Sequence, residues 1–140
     1  MTGLRAVVVG TGFIGPVHVE ALRRAGVTVA GVVGTTPDRS AAAAKRLGLP
    51  SNIKTFDEAL NDSSVDCVHL ATPNHLHFEQ AAAVLRAGKH AVCEKPLAMN
   101  SEESAELVRL ARNSGRAAAV CYNLRFYPLS HEAMSRVRNN

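Results

Sequence analysis

The chain has 140 residues, 46% of them hydrophobic, 20% charged and 4% aromatic, with a formal net charge of +4. This length suits one domain with a real core, and the shortage of aromatic residues disfavours an aromatic-rich β-sandwich. No apolar run approaches the roughly 18 residues of a membrane span, and the scattered basic residues form no nucleic-acid-reading motif, so we expect neither a membrane nor a nucleic-acid partner.

Short β-branched runs alternate with amphipathic stretches along the chain, which is the pattern of repeated βαβ units around a parallel sheet. The candidate strands are mostly continuous apolar runs, as expected where helices cover both faces of a sheet. They are Leu4–Val9, Thr28–Val33, Ile53–Thr55, Asp66–Ala71, His90–Cys93 and Ala117–Cys121. We therefore predict the α/β fold class, and within it a doubly wound, parallel-sheet Rossmann dinucleotide-binding domain with three αβα layers.

Six helices are predicted between and after these strands. Most begin at a capping residue, a proline in the first position or a capping box, and most end at a glycine. Their bounding residues are Phe13–Ala25, Thr36–Gly48, Thr55 with Glu58, Asn74–Gly88, Asn100–Gly115 and Leu129–Arg138.

The first strand-like run begins at Leu4, which leaves no room for a signal peptide before the fold, so we expect a cytoplasmic protein. The three cysteines, Cys67, Cys93 and Cys121, lie in apolar runs at a spacing that fits neither a metal site nor a redox motif. We expect them to be reduced and buried in strands, with a catalytic thiol as the alternative. No metal ion is expected.

A glycine-rich turn directly follows the first strand. Gly10-Thr11-Gly12-Phe13-Ile14-Gly15 has the G-x-G-x-x-G pattern and opens a helix, which is the context that gives this pattern its meaning. The first glycine allows the tight turn, the second lets the backbone approach a pyrophosphate, and the third lets helix and strand pack closely. We predict that these six residues bind the diphosphate of a dinucleotide at the positive end of the helix.

The end of the second strand bears on which dinucleotide binds. An NAD enzyme usually has an acidic residue there for the ribose hydroxyls, but this chain has Thr35, Thr36 and Arg39. Hydroxyls at a helix N-terminus beside an arginine would accept a 2′-phosphate, which favours NADP(H) over NAD(H). Two observations leave NAD(H) open, because Thr36 can simply cap the helix and Asp38 would repel a phosphate.

The loop after the fourth predicted strand would lie at the carboxyl ends of the strands, where open α/β sheets bind ligands. Ala71, Thr72, Pro73 and Asn74, together with His77, are candidates for the cofactor site. Asn74 has an equally good structural interpretation, because it can cap the next helix.

Glu94-Lys95-Pro96 ends the fifth predicted strand on the same edge of the sheet. A lysine there could hydrogen-bond a substrate hydroxyl or carbonyl and assist proton transfer. In isolation, however, Lys-Pro at a strand end is usually an exposed turn.

Four segments and the glycine-rich turn together carry a resemblance to known proteins. The segments are Thr72-Pro73-Asn74 with His77, Ala87-Gly88-Lys89-His90, Cys93-Glu94-Lys95-Pro96 and Tyr122-Asn123-Leu124-Arg125-Phe126-Tyr127-Pro128. In this combination and order the chain resembles the glucose–fructose oxidoreductase/inositol dehydrogenase (Gfo/Idh/MocA) family over nearly its whole length.

The resemblance implies roles for several of these residues. It implies that Lys95 contacts the substrate near the nicotinamide and is catalytic, that Glu94 contacts the cofactor, and that the Lys95–Pro96 bond is cis. It also implies that the Thr72–Asn74 loop lines the cofactor and that Arg125 lies near the active-site cleft. Lys95 and Arg125 are therefore counted among the cofactor-binding residues as well.

We expect residues 1–140 to form the NAD(P)-binding Rossmann domain and the family's C-terminal substrate domain to lie outside this chain. The full-length protein is then expected to be a homo-oligomeric NAD(P)-dependent dehydrogenase that exchanges a hydride with a sugar, polyol or related substrate. The 140-residue chain alone is expected to be inactive. The alternative is a non-catalytic dinucleotide-binding module or redox sensor; a methyltransferase is a third possibility, which the Glu-Lys-Pro segment disfavours.

Two histidines receive structural interpretations. His18, on the first helix, is expected to pack or to cap. His69, inside a buried strand, is expected to be a hydrogen-bonded core residue rather than a ligand.

Overall fold

The computed structural model describes residues 3–139, and five strands within them form one parallel sheet. The strands are β1 (Arg5–Val9), β2 (Thr28–Val33), β3 (Cys67–Leu70), β4 (His90–Cys93) and β5 (Ala118–Val120). They lie in the order β2-β1-β3-β4-β5, so the sheet grows from β1 in both directions. The boundary between β1 and β3 is therefore a topological switch point, which is where open α/β sheets form their ligand crevice.

The register of the pairings brings the carboxyl ends of all five strands to one edge of the sheet. Val9 at the end of β1 pairs with Val33 on one side and with Leu70 on the other. Leu70 in turn pairs with Cys93, and Cys93 pairs with Val120. Any residue that directly follows a strand consequently lies at this edge.

Helices cover both faces of the sheet. They are α1 (Ile14–Arg24), α2 (Pro37–Leu47), α3 (Phe56–Asn61), α4 (His77–Arg86) and α5 (Ser101–Ser114). One buried cluster joins α1 and α2 to the sheet through side chains such as Val8, Val19 and Ala43. A second cluster joins α3, α4 and α5 to the opposite face, with Val68 and Val84 among its members. A sixth helix, α6 (Pro128–Arg138), follows β5 and belongs to neither buried cluster. The predicted three-layer α/β fold is confirmed.

The starts of three helices follow the predicted signals. Thr36 Oγ1 accepts a hydrogen bond from Arg39 N–H at 3.2 Å and caps α2. Thr55 and Glu58 form the predicted capping box of α3, and Asn100 caps α5. Each cap satisfies backbone N–H groups that have no partner within the helix.

The predicted strand Ile53–Thr55 is wrong, because this segment is an extended connection that pairs with no strand. Ile53 is buried as expected of a strand residue. The backbone of Lys54, however, is engaged by side chains: its N–H donates to Glu58 Oε2 at 2.6 Å and its carbonyl accepts from Ser40 Oγ at 2.6 Å. A backbone whose polar groups are satisfied in this way has none left for a strand ladder.

The capping role considered for Asn74 is also wrong. Residues Asn74–Leu76 form a turn of 3₁₀ helix that runs directly into α4, and neither helical start has a side-chain cap. Asn74 is therefore already inside the helical turn, where its side chain cannot reach the N–H groups that a cap satisfies.

The segment after β5 is the most exposed part of the described chain. A 3₁₀ turn at Asn123–Phe126 leads into α6, and no residue of α6 is buried. Large apolar side chains, among them Phe126, Leu129 and Val137, face solvent there. Among residues 3–139, no helix is both long and apolar enough to cross a membrane.

Two glycines of the glycine-rich turn have no room for a side chain. Gly10 has a φ of +115°, and a Cβ there would collide with the carbonyl of Ala71, just after β3. A Cβ at Gly15 would collide with the carbonyl oxygen of Gly10. By contrast, a Cβ at Gly12 would have nothing within 4 Å.

The contrast between Gly15 and Gly12 yields a stability test. Gly15→Ala should lower the free energy of unfolding by about 1–3 kcal/mol or more, because backbone must move to admit the methyl group. Gly12→Ala should leave it unchanged or slightly raised, since alanine reduces the entropy of the unfolded chain. Urea unfolding of both variants and the parent gives the comparison. Equal effects of the two substitutions would contradict the packing argument.

Candidate functional site

A cleft of about 950 Å³ opens at the carboxyl edge of the sheet, above the ends of β1, β2 and β3. This volume is typical of a cofactor or small-molecule site. The residues that line it come from the glycine-rich turn, the β2–α2 connection, the segment that opens α3 and the loop after β3. They are Val9–Ile14, Val33–Pro37, Arg39, Lys54–Phe56, Ala71–Pro73, His75, Leu76 and Gln80.

The glycine-rich turn forms one wall of this cleft. Gly10 N–H donates to the carbonyl of Val33 at 2.8 Å, which ties the turn to the end of β2. The first turn of α1 contains no acidic residue, and no side chain among the described residues caps it. The positive end of α1 therefore faces a site suited to an anion. Residues Gly10–Ile14 line the cleft as predicted, whereas Gly15 is buried beneath them.

A hydroxyl and a guanidinium lie together at the β2 end of the cleft. Arg39 Nη1 donates to Thr35 Oγ1 at 3.0 Å, and both residues line the cleft. Thr36 lines it too, but its hydroxyl is occupied in capping α2. Asp38 is exposed and is not among the lining residues. The groups available to a ligand here are thus a hydroxyl and a positive charge.

Ser40 holds this end of the cleft in place, a role that the sequence analysis missed. It is 1% exposed, and its hydroxyl accepts from Gly34 N–H at 2.9 Å. The same hydroxyl lies within hydrogen-bond distance of the Lys54 and Thr36 carbonyls, at 2.6 and 3.0 Å. The end of β2, the cap of α2 and the segment before α3 therefore meet at one buried side chain.

The loop after β3 supplies the opposite wall. Ala71, Thr72 and Pro73 line the cleft as predicted, and Thr72 Oγ1 donates to Gln80 Oε1 at 2.6 Å. Asn74 is exposed and is not among the lining residues. Gln80, which was not predicted, is placed in the cleft because it lies one helical turn into α4.

His77 does not reach the cleft. It is completely buried, with Nδ1 at 2.6 Å from the Pro96 carbonyl oxygen and Nε2 at 2.9 Å from the Thr72 carbonyl oxygen. Both of its ring nitrogens are thus directed at backbone behind the cleft wall. The structure places His77 beneath the loop that lines the cleft rather than among the groups that could touch a ligand.

The Glu94-Lys95-Pro96 segment leaves the end of β4 beside the loop after β3. Glu94 N–H donates to the Leu70 carbonyl at 2.9 Å, and Glu94 Oε2 accepts from Lys95 N–H at 3.1 Å. Lys95 is exposed, and the Lys95–Pro96 peptide bond is cis, as the resemblance implies. The lysine is therefore accessible at the sheet edge next to the cleft.

His18 links α1 to this segment: it is buried, as a packing residue is, it caps none of the described helices, and it also makes hydrogen bonds that were not predicted. Its Nε2 lies 3.2 Å from Glu94 Oε1, and its Nδ1 lies 2.9 Å from Nδ1 of His69 on β3. The two imidazole rings are nearly perpendicular. Cys121 Sγ is 3.9 Å from His18 Nε2, so α1, β3 and the ends of β4 and β5 converge here.

Burial shifts the pKa values of His69 and of the three cysteines. It lowers the pKa of His69 from 6.5 to about 4, with a smaller contribution from neighbouring His18. Burial also raises the pKa of Cys93 to about 12 and that of Cys67 to about 11, and it raises the pKa of Cys121 as well. All three cysteines are free, as expected, but only Cys93 is fully buried. Raised thiol pKa values argue against a catalytic thiolate.

Arg125 is not brought to the cleft in this structure. It lies in the 3₁₀ turn after β5, is exposed, and is not among the lining residues. Lys54, Phe56, His75 and Gln80 also line the cleft and were not predicted to do so. His75 lies within the predicted Thr72–His77 loop, whereas Lys54, Phe56 and Gln80 belong to no recognisable motif and only the fold brings them there.

The chain is similar to known oxidoreductases. A family model described as an oxidoreductase family with an NAD-binding Rossmann fold matches residues 4–122. The 1,5-anhydro-D-fructose reductase of Ensifer adhaerens is 39% identical over 116 residues. That match covers 83% of this chain but 34% of the reductase, so the chain spans about a third of that relative's length.

Two solved structures have the same fold. An NAD binding oxidoreductase from Klebsiella pneumoniae superposes with a TM-score of 0.87 at 32% identity, covering 95% of this chain and 38% of that one. A biliverdin reductase from Synechocystis, in complex with biliverdin and NADP+, has a TM-score of 0.83 at 30% identity, covering 96% of this chain and 42% of that one. The two neighbours thus differ in the nicotinamide cofactor that their descriptions give.

The lowered pKa of His69 predicts a loss of stability in mild acid. Between about pH 6.5 and pH 4 the imidazole takes up a proton in the unfolded chain but not in the folded one, so the unfolded state gains stability as the pH falls. The free energy of unfolding should therefore decrease from pH 7 to pH 5 more in the parent than in His69→Gln. Urea unfolding at the two pH values measures this difference, and equal losses would count against a buried neutral His69.

Proposed function

The chain belongs to the Gfo/Idh/MocA oxidoreductase family and matches the NAD-binding Rossmann domain of that family, and we propose that it is the cofactor-binding part of an NAD(P)-dependent dehydrogenase or reductase. The observation that carries this proposal is the position of the cleft. It lies at the topological switch point, with the glycine-rich turn on one wall and accessible Lys95 at the next strand end.

The residues present fit a dinucleotide. The Gly10–Ile14 wall offers backbone N–H groups at the positive end of α1, with no acidic side chain in the first turn to repel a pyrophosphate. At Gly12 the space beside the backbone is open, so a phosphate can approach closely. The loop residues Ala71–Pro73 would then line the far side of the cofactor. When bound, the nicotinamide ring supplies or accepts the hydride.

Lys95 is the proposed catalytic residue. Its side chain is exposed at the sheet edge, where Nζ can donate a hydrogen bond to the oxygen of a substrate hydroxyl or carbonyl. In that position it would hold the oxygen whose proton is lost on oxidation or gained on reduction. Glu94 supports it, because one oxygen of the Glu94 carboxylate accepts from Lys95 N–H.

The substrate class proposed is a sugar, a polyol or a related hydroxyl or carbonyl compound. It is supported by the relative named a 1,5-anhydro-D-fructose reductase, of which this chain spans about a third. We propose that the full-length protein has a further domain, and that this domain supplies the substrate-binding surface beside Lys95. The proposed roles of Asn74 and Arg125 would need that larger context. A cytoplasmic location and a homo-oligomeric full-length form stay predictions.

NADP(H) is the cofactor that the β2 end of the cleft favours. Thr35 and Arg39 form a hydroxyl–guanidinium pair there, and no acidic residue is among the lining residues within 3–139. A 2′-phosphate would accept hydrogen bonds from both groups, and its negative charge would lie beside the guanidinium. The helix-cap interpretation explains Thr36, but it leaves the Thr35–Arg39 pair unexplained.

Dinucleotide binding should depend on the open space at Gly12. Gly12→Val should abolish binding, because its side chain would occupy the space of the pyrophosphate and cover the N–H donors. The fold should persist, since the Cβ position has no neighbour within 4 Å. Calorimetric titration with NADP(H) and NAD(H), with circular dichroism as the control for folding, makes the measurement. Unchanged affinity in a folded variant would remove the glycine-rich turn from the proposed site.

Cofactor preference should follow Thr35. NADP(H) should bind at least ~10-fold tighter than NAD(H), which corresponds to one charge-assisted contact. Thr35→Asp should reverse the order, because a carboxylate repels the 2′-phosphate and accepts from ribose hydroxyls. Thr35→Ser keeps the hydroxyl and should keep the preference. Equal affinities for the two cofactors in the parent protein would show that these residues serve only the helix start.

A further inference from the structure

Two histidines from different helices bind the residues on either side of Lys95. His18 lies in the second turn of α1 and is 6% exposed, and His77 is the first residue of α4 and is completely buried. His18 contacts Glu94 and His77 contacts Pro96. The lysine between them is exposed, so its position depends on the backbone that these neighbours hold.

On the Glu94 side, a chain of hydrogen bonds runs from β3 to the lysine backbone. His18 is fixed at Nδ1 by His69, and its Nε2 bonds Glu94 Oε1 at 3.2 Å. The second carboxylate oxygen, Glu94 Oε2, accepts from Lys95 N–H at 3.1 Å. A partly buried carboxylate that bridges two donors in this way restrains both of them.

On the Pro96 side, one buried ring joins two loops. His77 Nδ1 lies 2.6 Å from the Pro96 carbonyl oxygen and Nε2 lies 2.9 Å from that of Thr72. Thr72 lines the proposed cofactor cleft. The segment that carries the lysine and the loop that lines the cleft therefore share one side chain with no exposed surface.

We propose that His18 and His77 are positioning residues that clamp the Glu94–Pro96 segment and so fix Lys95 relative to the cofactor cleft. His18 acts through the Glu94 carboxylate, and His77 acts through the Pro96 carbonyl. His77 also holds the Thr72 loop, which couples the two ends of the site. The functional meaning of the clamp rests on the role proposed for Lys95, but its existence does not.

Substitution of each histidine by asparagine or by glutamine tests its two ring nitrogens one at a time. Asparagine places its NH₂ group near the position of Nδ1, and glutamine places its NH₂ group near that of Nε2. His18→Gln therefore keeps the bond to Glu94, whereas His18→Asn loses it. Conversely, His77→Asn places an N–H donor at the Pro96 carbonyl and none at that of Thr72, whereas His77→Gln does the opposite. Each loosening variant has a matched control at the same position.

The measurement is the ¹⁵N order parameter of the Lys95 and Leu97 amides in the whole chain, without ligand. Values of about 0.85 are expected in the parent, in His18→Gln and in His77→Asn, and values near or below about 0.6 in His18→Asn and His77→Gln. Thermal unfolding is recorded for all four variants. If the histidines had a purely structural role, the order parameter at Lys95 would decrease with the melting temperature. It would not depend on which ring nitrogen the substituted side chain replaces.

Titration with NADP(H) separates the clamp from the proposed function. His77→Asn, which frees the Thr72 loop, should weaken binding by about tenfold while Lys95 stays ordered. His77→Gln, which keeps a donor at the Thr72 carbonyl, should weaken binding less than His77→Asn does, although Lys95 is mobile in it. If the parent chain does not bind NADP(H) or NAD(H), the proposed function fails, but the order parameters still decide whether the clamp exists.

Two results would overturn the proposal. One is an equal loss of order at Lys95 in both members of each pair, which would mean that the histidines only fill the core. The other is full order at Lys95 in all four variants, which would mean that the segment is rigid without them. If the His77 variants do not fold, the two His18 variants decide the question. The Glu94 carboxylate that His18 contacts is only partly buried, so we expect these variants to fold.

Discussion

The parallel alignment of the five strand ends is the constraint on which the rest of the structure depends. Because Val9, Val33, Leu70 and Cys93 are paired in register, the residues that follow them all emerge at one edge of the sheet. The glycine-rich turn can pack directly on the loop after β3 only because Gly10 carries no side chain. The cleft, the N-terminus of α1 and the Glu94–Pro96 segment lie together because of this alignment of the strand ends.

The sequence was sufficient for whatever depends on neighbours along the chain. The strand-turn-helix context of Gly10–Gly15, the caps at Thr36 and Asn100 and the capping box at Thr55 are local patterns with local physical causes, and the structure reproduces them. The segment Ile53–Thr55 shows where local reasoning fails. Its apolar character reflects true burial of Ile53, but side chains satisfy the backbone beside it, and no local pattern distinguishes that case from a strand.

The parts of the site that were missed depend on contacts between distant residues. His18 meets His69 and Glu94 across 51 and 76 positions of sequence, and Lys54 reaches the cleft through a bond from Ser40. A histidine on an amphipathic helix gives no sign of which strand end it will face. Its partners follow only once the order of strands places β3 beside β1 and β4 beside β3, with the helix packed over them.

The separation of the two ends of the cleft has a consequence for engineering. Thr35 follows β2 and Lys95 follows β4, with β1 and β3 between them, so about three strand spacings, roughly 14 Å, divide them. Substitutions so far apart with no common partner usually have additive effects on free energy. Substitutions near Thr35 that change the cofactor can therefore be chosen independently of substitutions near Lys95 that change the reaction. Substitutions of His18 and Glu94 have to be chosen together, because the two side chains are in direct contact.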